Sequence, residues 1–505
     1  MRILAVLLAL TCAAEPHAQK PQFDIRIING DVIDGTGRAR FRADVGIRGD
    51  TIVEIGDLSR ATAKETIDAR NQVVVPGFID VLGHSEGSVL IDPNLEGKVR
   101  QGVTTELTGE GHSPGPLNEA MAAEMERTKP PGWPPVSWRT LGEFMKVIEK
   151  RGSAINFAFF IGAANPREIV IGTVDRTPTA EELKRMQAIV DQAMREGAIG
   201  LSTALIYPPG RFATTGELTA LARVSYWTHL RSESDNIMTA IDEAFRIGRD
   251  AHVRVNIFHL KVGGAMRGHM REVVAKIEAA HKSGLDVASN VYPYTATATD
   301  LTSVVPAWAL EGGYLQFVAR LKDPATRSRV VQAMRVGDGS SILLRQIPSA
   351  TLKQFERKRL SEIAAAMQTN PAEAALRLFE ESISSPIGIY FGLNEDDMQY
   401  ALRQPWVAIG SDSGAVVGVM REAGAHPRAY GTFPRVAGHY VRDVHLFTLE
   451  EAVRKMTSLA ASRAGFPDRG VLEPGKKADV IVNGTAVLRA GRMTGALPGQ
   501  VLRRR

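Results

Sequence analysis

Three histidines and one aspartate stand where predicted strands end. His84, His229 and His259 each follow a short apolar run, and Asp412 closes the run at residues 409–411. A lone strand histidine is most often a packed core residue, but four polar groups at the same kind of position are not explained by packing. Imidazole nitrogens and carboxylate oxygens bind divalent cations at about 2 Å. The pattern predicts a metal-dependent reaction centre.

The chemistry of that centre follows from the residue types available. His229 and His259 lie on neighbouring predicted strands and are candidate metal ligands. Because the only cysteine, Cys12, falls in a predicted signal segment, the mature chain has no thiolate ligand. Such a ligand set favours Zn²⁺ and tolerates Mn²⁺ or Co²⁺. A bound ion lowers the pKa of its water towards about 7, and Asp412 is the candidate that moves the proton to a leaving group.

The elements that must position these residues alternate between strand and helix from residue 73 onwards. The helix predicted over 180–195 begins after Thr179 and ends before Gly197, which are ordinary start and stop signals. Strands alternating with such helices predict an α/β protein with a (β/α)8 TIM barrel, whose chemistry lies at the C-terminal ends of the strands. The predicted strands are 73–81, 103–108, 155–161, 199–206, 226–230, 253–260, 286–291 and 407–410, and further helices are predicted over 236–248, 270–283 and 449–464.

Both ends of the chain have a different pattern. The turn pairs Asn29-Gly30 and Gly49-Asp50 separate short alternating runs within 23–76, which predicts antiparallel strands. Residues 470–505 return to short strands and glycine turns. We therefore expect four segments. They are a signal peptide over 1–18, an N-terminal β module over 19–76, the metal-dependent barrel over 77–466 and C-terminal β structure over 467–505.

Composition limits the partners. The chain has 505 residues, 44% of them hydrophobic and 23% charged, with a formal net charge of +5. These values are typical of a globular protein, and the lack of a long run of like charges argues against a nucleic-acid partner. A basic start followed by a short apolar run predicts export to the periplasm or medium, without stable membrane insertion. The expected partner is a small-molecule substrate, and no pattern indicates an oligomeric state.

A series of short motifs identifies a family. They are PGFID at 76–80, QGVTT at 101–105, THLRSE at 228–233, HLK at 259–261, YPYT at 292–295, IGSD at 409–412, HPR at 426–428, GTFPRV at 431–436 and LEPGKKAD at 472–479. In this order they resemble the amidohydrolase superfamily, and within it the N-acyl-D-amino-acid deacylase (D-aminoacylase) family. The resemblance covers about residue 23 to the C-terminus. It implies a metal-bearing (β/α)8 barrel with a small β-sandwich domain formed from both chain ends, and hydrolysis of the amide bond of N-acyl-D-amino acids or of small peptides with a D-residue.

The resemblance also implies roles for individual residues. His229 and His259 match the two histidines of the tighter metal site, and Asp412 matches the general base and acid. Arg231 and Glu233 are expected either to act at the site or to form an ion pair that fixes the strand of His229.

Substrate recognition is implied for four further residues. Lys261 and Arg428 match the cations that hold the substrate carboxylate, and an arginine can do so with two parallel hydrogen bonds. Tyr292 and Tyr207 match hydroxyl donors near the scissile group, with aromatic packing at the barrel mouth as the alternative.

Two departures from the family pattern concern the metal. The family usually has His-x-His after Phe-Ile-Asp, but here Leu82 takes the first position and only His84 remains as a ligand. One catalytic ion is therefore expected, with an impaired second site. Where the family often has a cysteine, this chain has glycine at 111, and Glu110 one residue earlier is the expected ligand, with His112 as the alternative.

Two other functions are compatible with the sequence. A cyclic-amide hydrolase of hydantoinase or dihydroorotase type usually needs two metals bridged by a modified lysine, and no lysine stands at a suitable strand end. A metal- or ligand-binding relative that has lost catalysis is favoured by Leu82 and by short connections before Tyr226 and after Val482.

Overall fold

A computed structural model describes residues 22–418, 424–479 and 482–504. The predicted signal peptide, Cys12 included, lies outside the described residues. The strands are β1 (Phe23–Ile28), β2 (Asp31–Val32), β3 (Phe41–Arg42), β4 (Asp44–Arg48), β5 (Thr51–Gly56), β6 (Ala63–Asp68), β7 (Val73–Val74), β8 (Phe78–Asp80), β9 (Val103–Thr108), β10 (Asn156–Phe159), β11 (Ile161–Gly162), β12 (Leu201–Ala204), β13 (Ser225–His229), β14 (Arg254–Ile257), β15 (Val287–Val291), β16 (Ala296–Asp300), β17 (Ile342–Gln346), β18 (Ile387–Phe391), β19 (Val407–Ile409), β20 (Leu488–Arg489) and β21 (Arg492–Met493).

Helices follow most strands after β8, so the predicted α/β class is confirmed. The α-helices are α1 (Ser88–Ile91), α2 (Glu96–Val99), α3 (Glu119–Thr128), α4 (Leu141–Arg151), α5 (Ala164–Ile171), α6 (Ala180–Glu196), α7 (Thr215–Leu221), α8 (Ile237–Asp250), α9 (Met270–Lys282), α10 (Tyr314–Arg320), α11 (Pro324–Ala333), α12 (Leu360–Ala366), α13 (Pro371–Glu380), α14 (Glu395–Arg403), α15 (Arg428–Arg435), α16 (Leu449–Met456) and α17 (Ser458–Ala464). A π-helix covers Val436–Asp443. Within the described ranges, no helix has both the length and the apolar character needed to cross a membrane.

Parallel strands form the centre of the molecule. The hydrogen-bonded orders are β10-β9-β8 and β11-β12-β13-β14-β15-β19, and every neighbour in both sheets is parallel. Phe160 alone separates β10 from β11, so one run of chain pairs with β9 in its first half and with β12 in its second. A parallel bridge between Gly83 and Ser413 connects the end of β8 to the end of β19. The first and last strands of the series are therefore neighbours.

Alternation along the strands separates two apolar layers. In β13, Trp227 joins a cluster that includes Phe160 and Phe258, with ring centroids 5.0 and 5.6 Å from that of Trp227. Tyr226 points the other way, into the layer between strands and helices. Because side chains two residues apart share a face, His229 lies on the same side as Trp227, one step closer to the strand end.

Two predicted elements are divided in the structure. The run 73–81 was predicted as one strand, but Val73–Val74 pairs with β2 while Phe78–Asp80 starts the parallel series. Pro76 lies between them and cannot donate a hydrogen bond to a sheet. The helix predicted over 449–464 is interrupted at Thr457, which has φ −132° and ψ −87° and separates α16 from α17.

The two chain ends meet in part. Ile52 N donates to Lys476 O at 2.9 Å, and Leu472 and Ala478 share a buried cluster with the N-terminal sheets. Further on, the chain leaves this module: Leu502 N donates to Phe157 O at 2.7 Å, beside β10. The C-terminal segment thus contacts both the N-terminal strands and the parallel series.

A segment with its own core is inserted between β15 and β19. We call residues 296–391 the insert. It holds the antiparallel sheet β16-β18-β17 and helices α10 to α13, and its buried residues form a cluster separate from the main core. The sequence pattern does not distinguish this segment, which was predicted as part of the barrel over 77–466.

Candidate active site

A tight turn after β9 presents Glu110. Gly109 and Gly111 have φ of +105° and +67°, a region that costs L-residues with a side chain about 1–2 kcal/mol. A Cβ at residue 111 would lie 2.5 Å from Ala204 Cβ. Glycine on both sides therefore lets the chain turn against β12 and leaves the carboxylate of Glu110 at the strand end.

Three strand ends converge on this carboxylate. Glu110 Oε1 lies 3.0 Å from His229 Nδ1 and 3.2 Å from His259 Nε2. Both histidine side chains are buried. His259 has φ +34°, and its N–H donates to Asn290 Oδ1 at 3.0 Å, which holds the residue in this unusual conformation. The ligand atoms of the three residues all lie within 4.8 Å of one another, as one divalent ion requires.

A second group shares Glu110. His84 Nε2 lies 3.3 Å from Glu110 Oε2 and 3.2 Å from Asp412 Oδ1, and these three residues also have ligand atoms within 4.8 Å of each other. Leu82 is fully buried in the apolar cluster inside the strands and offers no ligand. The second group thus lacks the imidazole that residue 82 provides in the family pattern.

Of the two candidates after β9, only Glu110 reaches the histidines. His112 is exposed, and its Nε2 faces Glu168 Oε2 at 3.4 Å. The donor set of one carboxylate and two imidazoles fits zinc or a similar ion. His229 Nε2 is buried and has no hydrogen-bond partner among the described residues, although Glu233 Oε2 lies 3.4 Å away.

The site is electrostatically polarised. Burial alone would raise the pKa of Glu110, but hydrogen bonds with His229 and His259 lower it well below its usual range. Burial would also raise the pKa of Asp412, but Arg428 and His259 lower it to about 2. Asp412 is therefore ionised at neutral pH, which is the state a general base needs.

Lys261 and Glu233 form a pair beside the histidines. Lys261 Nζ lies 2.6 Å from Glu233 Oε1 and 2.7 Å from His259 Nδ1. The alternative of an Arg231–Glu233 ion pair is wrong: Arg231 Nε binds Glu243 Oε2 at 2.8 Å. The two partners differ because the chain turns after Leu230, so residues 231 and 233 face different neighbours.

Arg428 and Tyr292 complete the site beside Asp412 and His259. Arg428 Nη1 binds Asp412 Oδ2 at 2.6 Å, and its guanidinium carbon lies 4.7 Å from the ring centroid of Tyr292. Lys261 Nζ lies 5.8 Å from the same centroid. Tyr292 Oη and Arg428 Nε are buried and have no hydrogen-bond partner in the described part of the chain. His426 Nδ1 accepts the N–H of Arg428 at 3.1 Å and helps to orient this residue.

The insert closes one wall of the cavity. A cavity of about 800 Å³ is lined by the site residues and by insert residues such as Thr299 and Arg345. Tyr207 Oη makes a short hydrogen bond with Thr299 Oγ1. Sequence reasoning missed Glu233 as the partner of Lys261 and missed the insert residues altogether. The THLRSE motif contained a signal for Glu233, whereas nothing in the sequence marked Thr299 or Arg345.

The chain belongs to the amidohydrolase family. Residues 217–494, more than half of the chain, match it. D-aminoacylase of Alcaligenes xylosoxydans xylosoxydans is 36% identical over 470 residues, which cover 91% of this chain and 88% of the relative. N-acyl-D-glutamate deacylase of the same organism is 34% identical over 474 residues, covering 91% and 87%. The protein is therefore a metal-dependent hydrolase of carbon–nitrogen bonds other than peptide bonds, and the predicted family is confirmed.

Solved structures agree with this placement. A crystal structure of D-aminoacylase superposes with a TM-score of 0.79 at 34% identity, covering 95% of this chain and all of the other. N-acyl-D-glutamate deacylase from Bordetella bronchiseptica, solved with zinc and a phosphonate mimic of the tetrahedral intermediate, gives a TM-score of 0.79 at 30% identity over the same shares. An L-hydantoinase from Arthrobacter aurescens, at 15% identity and a TM-score of 0.53, shares the fold alone.

Proposed function

We propose that the protein hydrolyses the amide bond of N-acyl-D-amino acids or of small peptides with a D-residue. One observation carries this proposal: the Glu110–His229–His259 cluster and the Asp412–Arg428 pair lie side by side in the lining of one cavity. The cluster suits a metal, and the pair combines a base with a cation beside it. The substrate class is supported by two relatives that match about nine-tenths of the chain and are named for D-amino-acid derivatives, D-aminoacylase and N-acyl-D-glutamate deacylase.

We propose one catalytic zinc ion, held by Glu110, His229 and His259. A divalent ion there would polarise the scissile carbonyl and lower the pKa of a water molecule. The second group, His84 with Glu110 and Asp412, would hold an ion less well because Leu82 contributes no ligand.

Asp412 is the proposed proton carrier. Its carboxylate is ionised and belongs to the second metal group, which shares Glu110 with the first, so it is placed to accept a proton from water and pass it to the departing amine. Arg428 holds Asp412 by Oδ2, and Oδ1, which faces His84 Nε2 at 3.2 Å, is the oxygen proposed for this task.

The substrate carboxylate is proposed to bind between Tyr292, Arg428 and Lys261. Tyr292 Oη and Arg428 Nε have no described partner, and Lys261 is close to the same ring. A carboxylate there would supply the missing hydrogen bonds, each worth more to a charged acceptor than to a neutral one. Tyr207 lines the cavity, with its ring centroid 5.7 Å from that of His229, and is the proposed donor near the scissile group.

The architecture we propose is a closed (β/α)8 barrel. It is supported by the parallel order from β8 to β19 and by the Gly83–Ser413 bridge. The N-terminal sheets and parts of 467–505 would form the accompanying β-sandwich domain. We retain the proposal of an exported protein with a signal peptide over 1–18 and a periplasmic or secreted location.

Metal content per chain tests the function. We expect about one zinc ion in the wild type and almost none in His229→Ala, together with hydrolysis of N-acetyl-D-amino acids by the wild type alone. His112→Ala is the matched control, since this exposed histidine lies outside both metal groups and its loss leaves the zinc content unchanged. A wild type that holds no zinc after zinc is supplied would contradict the proposal and favour a non-catalytic role.

A further inference from the structure

A buried ammonium group lies beneath the reaction centre. Lys98, in α2, is fully buried and its Nζ lies 2.6 Å from Asp80 Oδ2 and 3.0 Å from Glu106 Oε2. Both carboxylates are fully buried as well. Lys98 Nζ also donates to Ser411 Oγ at 2.9 Å and to the carbonyl oxygen of Ser413 at 2.7 Å. One side chain thus connects α2, β8, β9 and the chain after β19.

The Asp80 side of this network leads to Asp412. Asp80 Oδ1 accepts the N–H of Ser411 at 2.8 Å, and Asp80 Oδ2 accepts the hydroxyl of Ser411 at 2.5 Å. Ser411 immediately precedes Asp412, whose own N–H donates to the carbonyl oxygen of Leu82 at 2.7 Å. Asp412 has φ +50°, and the hydrogen bonds of Ser411 and of the Asp412 N–H hold this unusual backbone conformation.

The Glu106 side leads to His84. Glu106 Oε1 accepts the N–H of Ser85 at 2.7 Å, and Glu106 Oε2 accepts its hydroxyl at 2.7 Å. Ser85 follows His84 directly. A Cβ at Gly83 would lie 2.1 Å from the carboxyl carbon of Glu106, so the chain before His84 passes in direct contact with this carboxylate.

This arrangement is poorly explained by stability alone. Burying charged groups costs free energy that their attraction only partly returns, and apolar residues of similar size are often as stable. None of Lys98, Asp80 and Glu106 lines the cavity, so substrate contact does not explain them either. What they share is a pair of short connections to His84 and Asp412, two of the three members of the second metal group.

We propose that Lys98, with Asp80, Glu106 and Ser411, is a positioning network that fixes Asp412 and His84 relative to the Glu110–His229–His259 cluster. The proposal rests on the proposed function, in which Asp412 carries the proton. A displacement of about 1 Å in such a group can lower a rate by about 10²-fold. The network acts through Asp412 and does not touch the substrate.

The variants differ in how much they disturb folding. Lys98→Met leaves two buried carboxylates without a cation and endangers folding. Ser411→Ala removes one hydroxyl, keeps all three charges and leaves the backbone bond to Asp80 in place, so it is the decisive variant. Ser225→Ala is its matched control. This hydroxyl is also buried, donates to Ile199 O at 3.1 Å and accepts from Trp227 Nε1 at 3.0 Å, but it lies at the start of β13, outside the Lys98 network.

We expect Ser411→Ala to lower kcat for N-acetyl-D-amino acids about ten-fold, with KM within two-fold of the wild type and one zinc ion per chain. Ser225→Ala is expected to shift the thermal unfolding midpoint by about as much as Ser411→Ala does, but to keep the wild-type kcat. Equal kcat in Ser411→Ala and wild type, or an equal loss in both serine variants, would overturn the positioning network while the function stands. A wild type without hydrolytic activity would overturn both.

Discussion

A single carboxylate joins the two possible metal groups. Glu110 Oε1 faces His229 and His259, and Oε2 faces His84. The family pattern predicted a ligand at this point of the chain, but its sequence position was uncertain by one residue. The structure places the side chain of Glu110 among the histidines because the flanking glycines turn the chain there.

Removing the charge of Asp412 tests its role directly. Asp412→Asn keeps the size of the side chain but cannot accept a proton, so we expect kcat to fall by about 10²–10⁴-fold. Zinc content should stay near one per chain, because Asp412 is not part of the Glu110–His229–His259 group. Steady-state kinetics with metal analysis on the same samples measures both. A variant with normal kcat would refute the assignment of the base.

At the scale of elements, the turn that carries Glu110 tolerates substitution poorly, because it needs glycine on both sides. In Gly111→Ala, the new methyl group would meet Ala204 at 2.5 Å and force residue 110 to move. We expect zinc content to fall to less than about one-tenth of the wild-type value, as loss of a well-placed ligand group costs at least 10–100-fold in affinity.

Gly284→Ala provides the comparison for this turn. Gly284 also has positive φ, +83°, but no atom lies within 4 Å of a Cβ built there. Both variants should therefore lose about 1–2 kcal/mol of stability through backbone strain, and only the change at residue 111 should lose the metal. Zinc loss in both would show that strain, rather than displacement of Glu110, is responsible.

A buried lysine in α16 makes stability depend on pH. Lys455 is fully buried beside Glu451 and donates to the carbonyl oxygens of Gln404 and Val407, and burial lowers its pKa to about 8. The unfolded chain keeps this proton up to about pH 10.4. Between these two pH values the unfolded state binds more protons than the folded state, so the free energy of unfolding increases as the pH rises.

We expect this gain to disappear in Lys455→Met. From pH 8 to pH 10, the free energy of unfolding of the wild type should rise by about 2 kcal/mol relative to the variant. Urea unfolding at both pH values measures the difference. Lys276→Met, at a half-buried lysine paired with Asp242, is the control and should follow the wild type. A constant difference between wild type and Lys455→Met would contradict the assigned pKa.

The local sequence pattern was sufficient to predict the positions of several strands. The strands at 103–108, 286–291 and 407–410 were predicted within one or two residues, because buried parallel strands are short apolar runs with clear boundaries. The division of 73–81 was missed because both halves are apolar, and only tertiary pairing assigns them to different sheets. The Glu233–Lys261 and Arg231–Glu243 partners also depend on three-dimensional proximity.

At the scale of the whole molecule, the sequence patterns did not predict that residues 296–391 form an insert separate from the parallel strands. Its strands and helices have ordinary local patterns, and nothing marks where they leave the parallel series. Only the separate buried cluster shows that 296–391 packs on itself. Because the insert lines one wall of the cavity, we expect it to contribute to the selection of the acyl group or side chain of the substrate.

The insert can be weakened without touching the metal ligands. Phe379 in α13 is fully buried, with its ring centroid 5.3 Å from that of Phe317, and Phe379→Ala should cost about 3–5 kcal/mol within the insert. We expect KM to rise about ten-fold, equivalent to about 1.4 kcal/mol of lost substrate contacts, with zinc content unchanged. Limited proteolysis should cut first within 296–391. Phe245→Ala, in α8 of the main core, is the control and should not direct cleavage to the insert.

The ligand set of carboxylates and imidazoles has a consequence for redox chemistry. Neither cysteine nor methionine lines the described part of the cavity, and the only cysteine of the chain is Cys12. Peroxide attacks thiolates and thioethers first, so it finds no preferred target among Glu110, His229 and His259. We therefore expect a metal held by these three residues to survive oxidising conditions that would release a cysteine-ligated ion.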